Sequence, residues 1–420
     1  MKTKTSQLVL IFASLNFVLV PFQNCSPPIQ SDFASEVISE SQSVVPDPNQ
    51  PTGTSSSPVV VTPAPVPVVV TPAPVPVVVT PAPTLPTGTT KTIFMATGHM
   101  GRTLMSCDDG KTWINDRSDN NAAICGGVTT DPNYVECNHT PYTSRGIDAG
   151  QGYFYANYGW GYNGSLKRSR DGKNWDVIKS GGWGGGIAWG PNQLFHVHEG
   201  GRWSLSNTNG TSWSQLTDPV RSQFSYPAVK RVNDKIFVFG RSTKLGLSTD
   251  QGNTWKIQDI VTPFGDFSEG RGLIVAVGFL SRTGLPTVGY TYVSKDNGLT
   301  WITTTFLDSS LYHEFKNVIF NGTEFVTWAR DRVYKSVDGL NWVRSYRKID
   351  GIAPHSGVNY THTFNQKTGT YISVNGSYSS QKIYRSTDGV NWTTLSASQY
   401  KGGHPIISII TGELDSSNCP

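Results

Sequence analysis

Three groups of side chains in this 420-residue chain have the types and spacing for chemistry. Glu199, Glu314 and Asp331 are the first group, because glycoside hydrolysis needs two carboxyl groups at a defined separation. Nothing in the sequence ranks the three. The segment "HVHEGGR" (196–202) gathers His196, His198, Glu199 and Arg202. His-x-His on a strand places both rings on one face, the beginning of a metal site. Two histidines fall short of a ligand set, so no metal and no cofactor is assigned, and solvated or structural histidines are the plainer reading. The third group is aromatic and basic. "NYGWGYNGS" (157–165) and "SGGWGGG" (180–186) carry Trp160 and Trp183 among glycines, rings suited to stacking on sugars. Arg241, Arg282, Tyr312, His313, Arg330, Arg332, His355 and His404 would suit an anionic glycan or a polar protein surface. Packing between loops and an ordinary polar rim are the alternatives for this group.

The elements that must position these groups are spelled by a repeat. "SCDDGKTW" (106–113), "SNTNGTSW" (206–213), "STDQGNTW" (248–255) and "SKDNGLTW" (294–301) share a hydroxyl, a glycine and a tryptophan at fixed offsets. "SRDGKNW" (169–175), "SVDGLNW" (336–342) and "STDGVNW" (386–392) are one residue shorter. The tryptophans, Trp113, Trp175, Trp213, Trp255, Trp301, Trp342 and Trp392, lie 38 to 62 residues apart, a period of propellers and solenoids. Around each copy the sequence reads as four short strands with Gly/Asn/Asp turns. In 227–258 these are "PAVKRV", "IFVFG", "LGLST" and "TWKIQ". The same order recurs over 317–345 and 359–395.

Seven copies therefore predict an all-β, seven-bladed propeller of four-stranded antiparallel blades over residues 91–420. Only two strands fit before the first copy, "TIFMATG" (92–98) and "RTLMSC" (102–107). One strand is left after the last, "HPIISIITG" (404–412), and it is expected to complete the first blade as its innermost strand. The repeated box falls in the turn between third and fourth strands. There the acids Asp108, Asp171, Asp250, Asp296, Asp338 and Asp388 accept turn amides, and the tryptophan packs between blades. Thr208 replaces the acid in the third copy, which predicts the weakest turn.

These copies resemble Asp-box (BNR) repeats, and residues 91–420 are similar to sialidase-like propellers. The resemblance implies a fold more than a function, since such propellers include glycosidases, sugar binders, assembly factors and receptors. It also implies ligand binding on the face opposite the boxes, where the loops named above would gather. A sialidase would add arginines that grip a carboxylate, a tyrosine paired with a glutamate, an acid/base carboxylate and an Arg-Ile-Pro motif. That motif is missing; before the first box stands only "ATGHMGRTL", with Arg102. No catalytic residue carries over by position, and acids are sparse among the loops. The reading leans to a non-catalytic binding propeller for a glycan or protein partner. A glycoside hydrolase and an envelope assembly factor are the alternatives.

The remaining sequence concerns where the propeller is held. Residues 1–24 combine Lys2 and Lys4 with the apolar run "LVLIFASLNFVLVPF", short for a membrane span. With Cys25 just beyond, they resemble a bacterial lipoprotein signal in which that cysteine is lipidated. Gln23 and Asn24 depart from the small residues usual before it. An outer-membrane or cell-surface lipoprotein is expected, or else a periplasmic or secreted protein, touching the membrane through the lipid alone. Residues 25–90 form a stalk with three nine-residue units, "VVVTPAPVP", "VVVTPAPVP" and "VVVTPAPTL". Prolines fix extended backbone and give a reach on the order of 200 Å at most. Cys107, Cys125, Cys137 and Cys419 remain, an even number in an exported chain. Cys125–Cys137 would staple one insertion and Cys107–Cys419 would lock the ring; other pairings leave the tail loose. A net charge of +4 without a basic run argues against nucleic acid, and a monomer is expected. Asn163, Asn209, Asn321 and Asn375, each before Gly-Ser/Thr, read as turns.

Overall fold

The computed structural model describes residues 89–98, 102–117, 146–158, 165–180, 185–190, 193–197, 203–216, 224, 227–281, 285–306, 313–329, 331–350, 360–375, 382–395 and 406–420. They form seven sheets, numbered here as blades 1 to 7 in chain order of their boxes. Blade 5 shows the plan: Phe264–Gly270 innermost, then Leu273–Leu280, Val288–Ser294 and, outermost, Ile302–Phe306, all antiparallel. The inner strands of successive blades touch, and the last meets the first. The described residues form a closed seven-bladed propeller.

Blade 1 is built from both ends of the folded region. Ile406–Asp415 is its innermost strand and pairs with Thr90–Gly98 from Thr90↔Asp415 to Gly98↔Ile406. Thr103–Ser106 and Ile114–Arg117 complete the sheet. Beyond the pairing, the Ser416 amide donates to the Thr89 carbonyl at 2.9 Å. Cys107 and Cys419 are joined, with Cα atoms 5.7 Å apart and a sequence separation of 312. Cys25, Cys125 and Cys137, and all of residues 1–88, lie outside the described residues.

Alternation sends successive side chains of each strand into the two neighbouring gaps between blades. The core is accordingly divided into seven clusters, one for each gap. Each contains one box tryptophan. Trp301 of blade 5 packs with Phe237 of blade 4, and Trp113 of blade 1 packs with Ile372 and Val374 of blade 7. Burying such a side chain is worth roughly 1.5–3 kcal/mol, so each box ties its blade to the preceding one.

Blade 7 departs from the four-stranded expectation. Lys348–Ile349, leaving blade 6, runs parallel to the outer strand Asn391–Thr394 and makes a fifth strand. The Lys348 amide donates to the Val390 carbonyl and the Asp350 amide to the Trp392 carbonyl, at 2.9 and 2.8 Å. A two-residue pairing has no periodic signature, so sequence patterning does not reveal it.

Candidate functional site

The ring has two ends, and the repeated box occupies one of them. In the eight-residue form, seen at 294–301, the Ser294 hydroxyl donates to Asp296 Oδ1 and accepts the Gly298 amide, at 2.8 and 2.7 Å. Asp296 also accepts the Thr300 amide and hydroxyl, at 2.9 and 2.6 Å. Two residues there are left-handed, Asn297 (φ 60°) and Gly298 (φ 88°). The seven-residue form has one, as at Gly339 (φ 72°), and its asparagine replaces the threonine. The extra residue in the long form is thus the second left-handed position.

The glycine is needed twice over. A Cβ on Gly298 would meet the Phe237 ring of the preceding blade at 2.5 Å, and one on Gly339 would meet Val275 at 2.6 Å. Four of the tryptophans, Trp213, Trp255, Trp342 and Trp392, donate Nε1–H to the carbonyl of their own box glycine, at 2.8–3.1 Å. The box carboxylates are acceptors in a closed network, and their pKa values follow. The Thr300 hydroxyl leads the groups that bring Asp296 down to about 2. At Asp338, burial pushes up, but the amides of Asn341 and Leu340 and the Asn341 side chain outweigh it and hold the carboxyl far below its usual range. Thr208 keeps the geometry with one oxygen in place of two, accepting the Ser212 amide at 2.8 Å. These acids hold turns; none is poised to receive or deliver a proton.

The opposite end carries the connections between second and third strands and those between blades. Trp160, Trp183, His198, Glu199, Arg202, Arg282, Tyr312, Arg330, His355 and His404 lie outside the described residues. The rest of the candidates fall into distinct places. His196 ends the second strand of blade 3 and is buried, its ring 6.0 Å from that of Trp213. It stands inside the gap between blades 2 and 3 instead of on the open face. Arg102 is also fully buried, clamped on Asp116 by two hydrogen bonds of 3.1 and 2.9 Å. Arg241 is exposed in the second-to-third connection of blade 4.

Blades 5 and 6 bring four of the candidates into one sector. His313 is buried, with Nδ1 3.0 Å from the Tyr334 hydroxyl, whose pKa burial pushes up to about 12. Glu314 forms an ion pair with Lys316 at 3.3 Å, and that ammonium lies 5.4 Å from the Phe279 ring. Asp331 forms an ion pair with Arg332, whose guanidinium lies 3.6 Å from the Tyr346 ring. The two carboxylates thus share one arrangement: an adjacent cation, itself laid on an aromatic ring. Lys316 and Tyr346 were not singled out from the sequence. A charged residue two positions from Glu314 was a signal for the first pair; nothing local marks Tyr346.

The innermost strands carry a further polar set that sequence reading missed. Asp148 of blade 2 accepts the Trp189 amide of blade 3 at 2.6 Å. Desolvation there outweighs its amide donors and pushes its carboxyl up to about 6. Asp266 of blade 5 accepts the Asn317 side chain of blade 6 at 2.8 Å and Lys230 of blade 4 at 3.0 Å. Asn317 in turn accepts the His362 amide of blade 7 at 2.9 Å. Thr361 donates to the Ile407 carbonyl of blade 1 at 2.9 Å. These side chains join one inner strand to the next, which removes their carboxylates from any free pair. Among the described residues no three His, Cys, Asp or Glu side chains are grouped to hold a metal.

No protein-family model and no curated protein sequence matches the chain. Solved structures resemble it at low identity. YCF48 bound to a D1 peptide is 16% identical, over 63% of this chain and 87% of that one, with a TM-score of 0.45. Apo AztD from Citrobacter koseri is 7% identical, over 77% and 98%, with a TM-score of 0.44. The nidogen/laminin complex gives 11%, over 77% and 98%, with a TM-score of 0.38. Scores of this size carry no statement about the ligand of this chain.

Proposed function

We propose that the chain is an exported, lipid-anchored, non-catalytic binding propeller. Its face opposite the boxes takes a glycan or a protein partner at the cell envelope. Cys25 carries the lipid, and residues 25–90 hold the ring away from the membrane. The observation that supports this most is the state of Glu314 and Asp331. Each is engaged by a cation that lies on an aromatic ring. Glycoside hydrolysis would need one such group held protonated and another unencumbered. Cation, ring and carboxylate side by side instead suit contacts to hydroxyls, carboxylates or a polar protein surface, where arginine and tyrosine carry much of the binding energy. The test is a glycan-array screen of the exported chain from residue 26, with released sugar assayed in the same wells. Binding without turnover, lost in Trp160→Ala/Trp183→Ala, is the expected result. Released sugar would overturn the reading and turn attention to Glu199, Glu314 and Asp331. Silence in both assays would leave a protein partner as the ligand to seek by crosslinking from the same face.

A further inference from the structure

Among the described lysines, Lys179 is set in a gap between blades with no acid beside it. Lys179 lies on the outer strand of blade 2, Asp176–Ser180, which pairs with Ser165–Ser169. The register runs Leu166↔Lys179 and then Lys167↔Val177, so Ile178 is an extra residue in a bulge. Strict alternation would send Lys179 outward with Val177, which is 54% exposed. The bulge turns it the other way, and both Ile178 and Lys179 face blade 3. There the ammonium sits 4.7 Å from the Trp213 ring and donates to the Ser204 hydroxyl.

What it lacks is a counterion. No carboxylate among the described residues pairs with it, whereas Lys316, also half-buried, has Glu314. The titratable groups on the flanking strands are Lys167 and Arg168 on blade 2 and His196 on blade 3, none of them anionic. Asp176, on its own strand, is exposed to solvent. A bulge that moves a lysine from water into a gap with no acid disfavours its charged form.

We propose that Lys179 is a covalent modification site, a reactive amine that captures aldehyde carbonyls, including those of open-chain sugars, beside the Trp213 ring. The uncharged Nζ lone pair attacks the carbonyl carbon, and the carbonyl oxygen takes up the proton that nitrogen gives off. The resulting carbinolamine loses water and leaves an imine. The Ser204 hydroxyl is placed to pass the proton. No oxidant or reductant takes part. Burial lowers the Lys179 pKa to about 8. At pH 7.4 that leaves about one-fifth of the amine uncharged, against roughly one in a thousand for an ordinary lysine.

The test is labelling of the exported chain with 4-formylbenzoate at pH 7.4, trapping with cyanoborohydride and peptide mapping. Lys179 is expected to be modified at least about tenfold faster than Lys235 and Lys244, which are held in ion pairs. The advantage is expected to vanish in guanidinium. Lys179→Arg, with an unchanged melting temperature, should remove the fast adduct. Equal or slower labelling, no labelling at all, or an advantage that persists in the unfolded chain would each overturn the proposal. A lysine that is merely structural would be protected by its packing and would label slowest.

Discussion

The two ends of the ring are built on opposite rules. At one end the same turn is made seven times, with the same serine, glycine and tryptophan doing the same work in each blade. At the other end no two connections share a spelling, and among the described residues paired ions laid on aromatic rings stand in blades 5 and 6. Repetition at the box end means that no single copy is special, which is what architecture requires. Binding requires the reverse, a constellation found once. Changes at the box end should therefore act on stability, and changes at the loop end on recognition.

The largest effect is expected where the box end meets the chain terminus. Cys419→Ser opens a link across a sequence separation of 312, for which loop-closure entropy alone puts the loss at about 5–6 kcal/mol. Thermal unfolding with and without reductant measures it, and reductant should no longer lower the melting temperature of the variant. A tail already held by its strand pairing alone would show no change.

Next comes the box glycine. Gly298→Ala adds a Cβ at 2.5 Å from Phe237 on a left-handed backbone, and about 2–4 kcal/mol should be lost. Gly272→Ala is its control, with a similar φ of 73° and nothing within 4 Å, and should cost about 1 kcal/mol. Denaturant titration of the pair separates packing from backbone strain; equal losses would remove the interblade role of the box glycine.

Smaller effects follow at the box acids. Asp296→Ala leaves the Thr300 amide without its acceptor and should cost about 1–2 kcal/mol. Thr208→Asp supplies the missing second oxygen and should add about 0.5–1 kcal/mol, measured by the denaturation midpoint. The pH dependence has the same origin. Box carboxylates have folded pKa values below the unfolded value of 3.8. Their contribution is full above that value and is lost as pH falls toward about 2, the folded value of Asp296. Acid titration of the melting temperature should steepen in that window, and should flatten in Asp296→Ala.

How far the sequence reveals these two ends differs for a physical reason. The propeller, the ring closure and the closing strand are legible because a box at fixed offsets marks the same turn in every blade. The reason for its glycine is only half legible. A left-handed turn can be read from composition, but the Phe237 ring that a Cβ on Gly298 would meet at 2.5 Å comes from another blade. His196 shows the same limit. Alternation places it on the same side as His198 without saying which gap that side faces, and the gap holds Trp213. The bulge at Ile178 reverses Lys179 without any residue type to announce it. The inner-strand bonds of Asp148, Asp266 and Asn317 depend on which blade is neighbour to which, a relation set by the ring and not by local pattern.

The most direct test joins both ends in one experiment. Wild type, Asp296→Ala and Arg332→Ala would be compared on a glycan array with released sugar assayed, beside their melting curves. The account predicts binding without turnover. Asp296→Ala should melt earlier and bind as before, and Arg332→Ala should bind weakly at a temperature well below its own melting transition. Sugar release, or a box variant that keeps its melting temperature but loses binding, would contradict it.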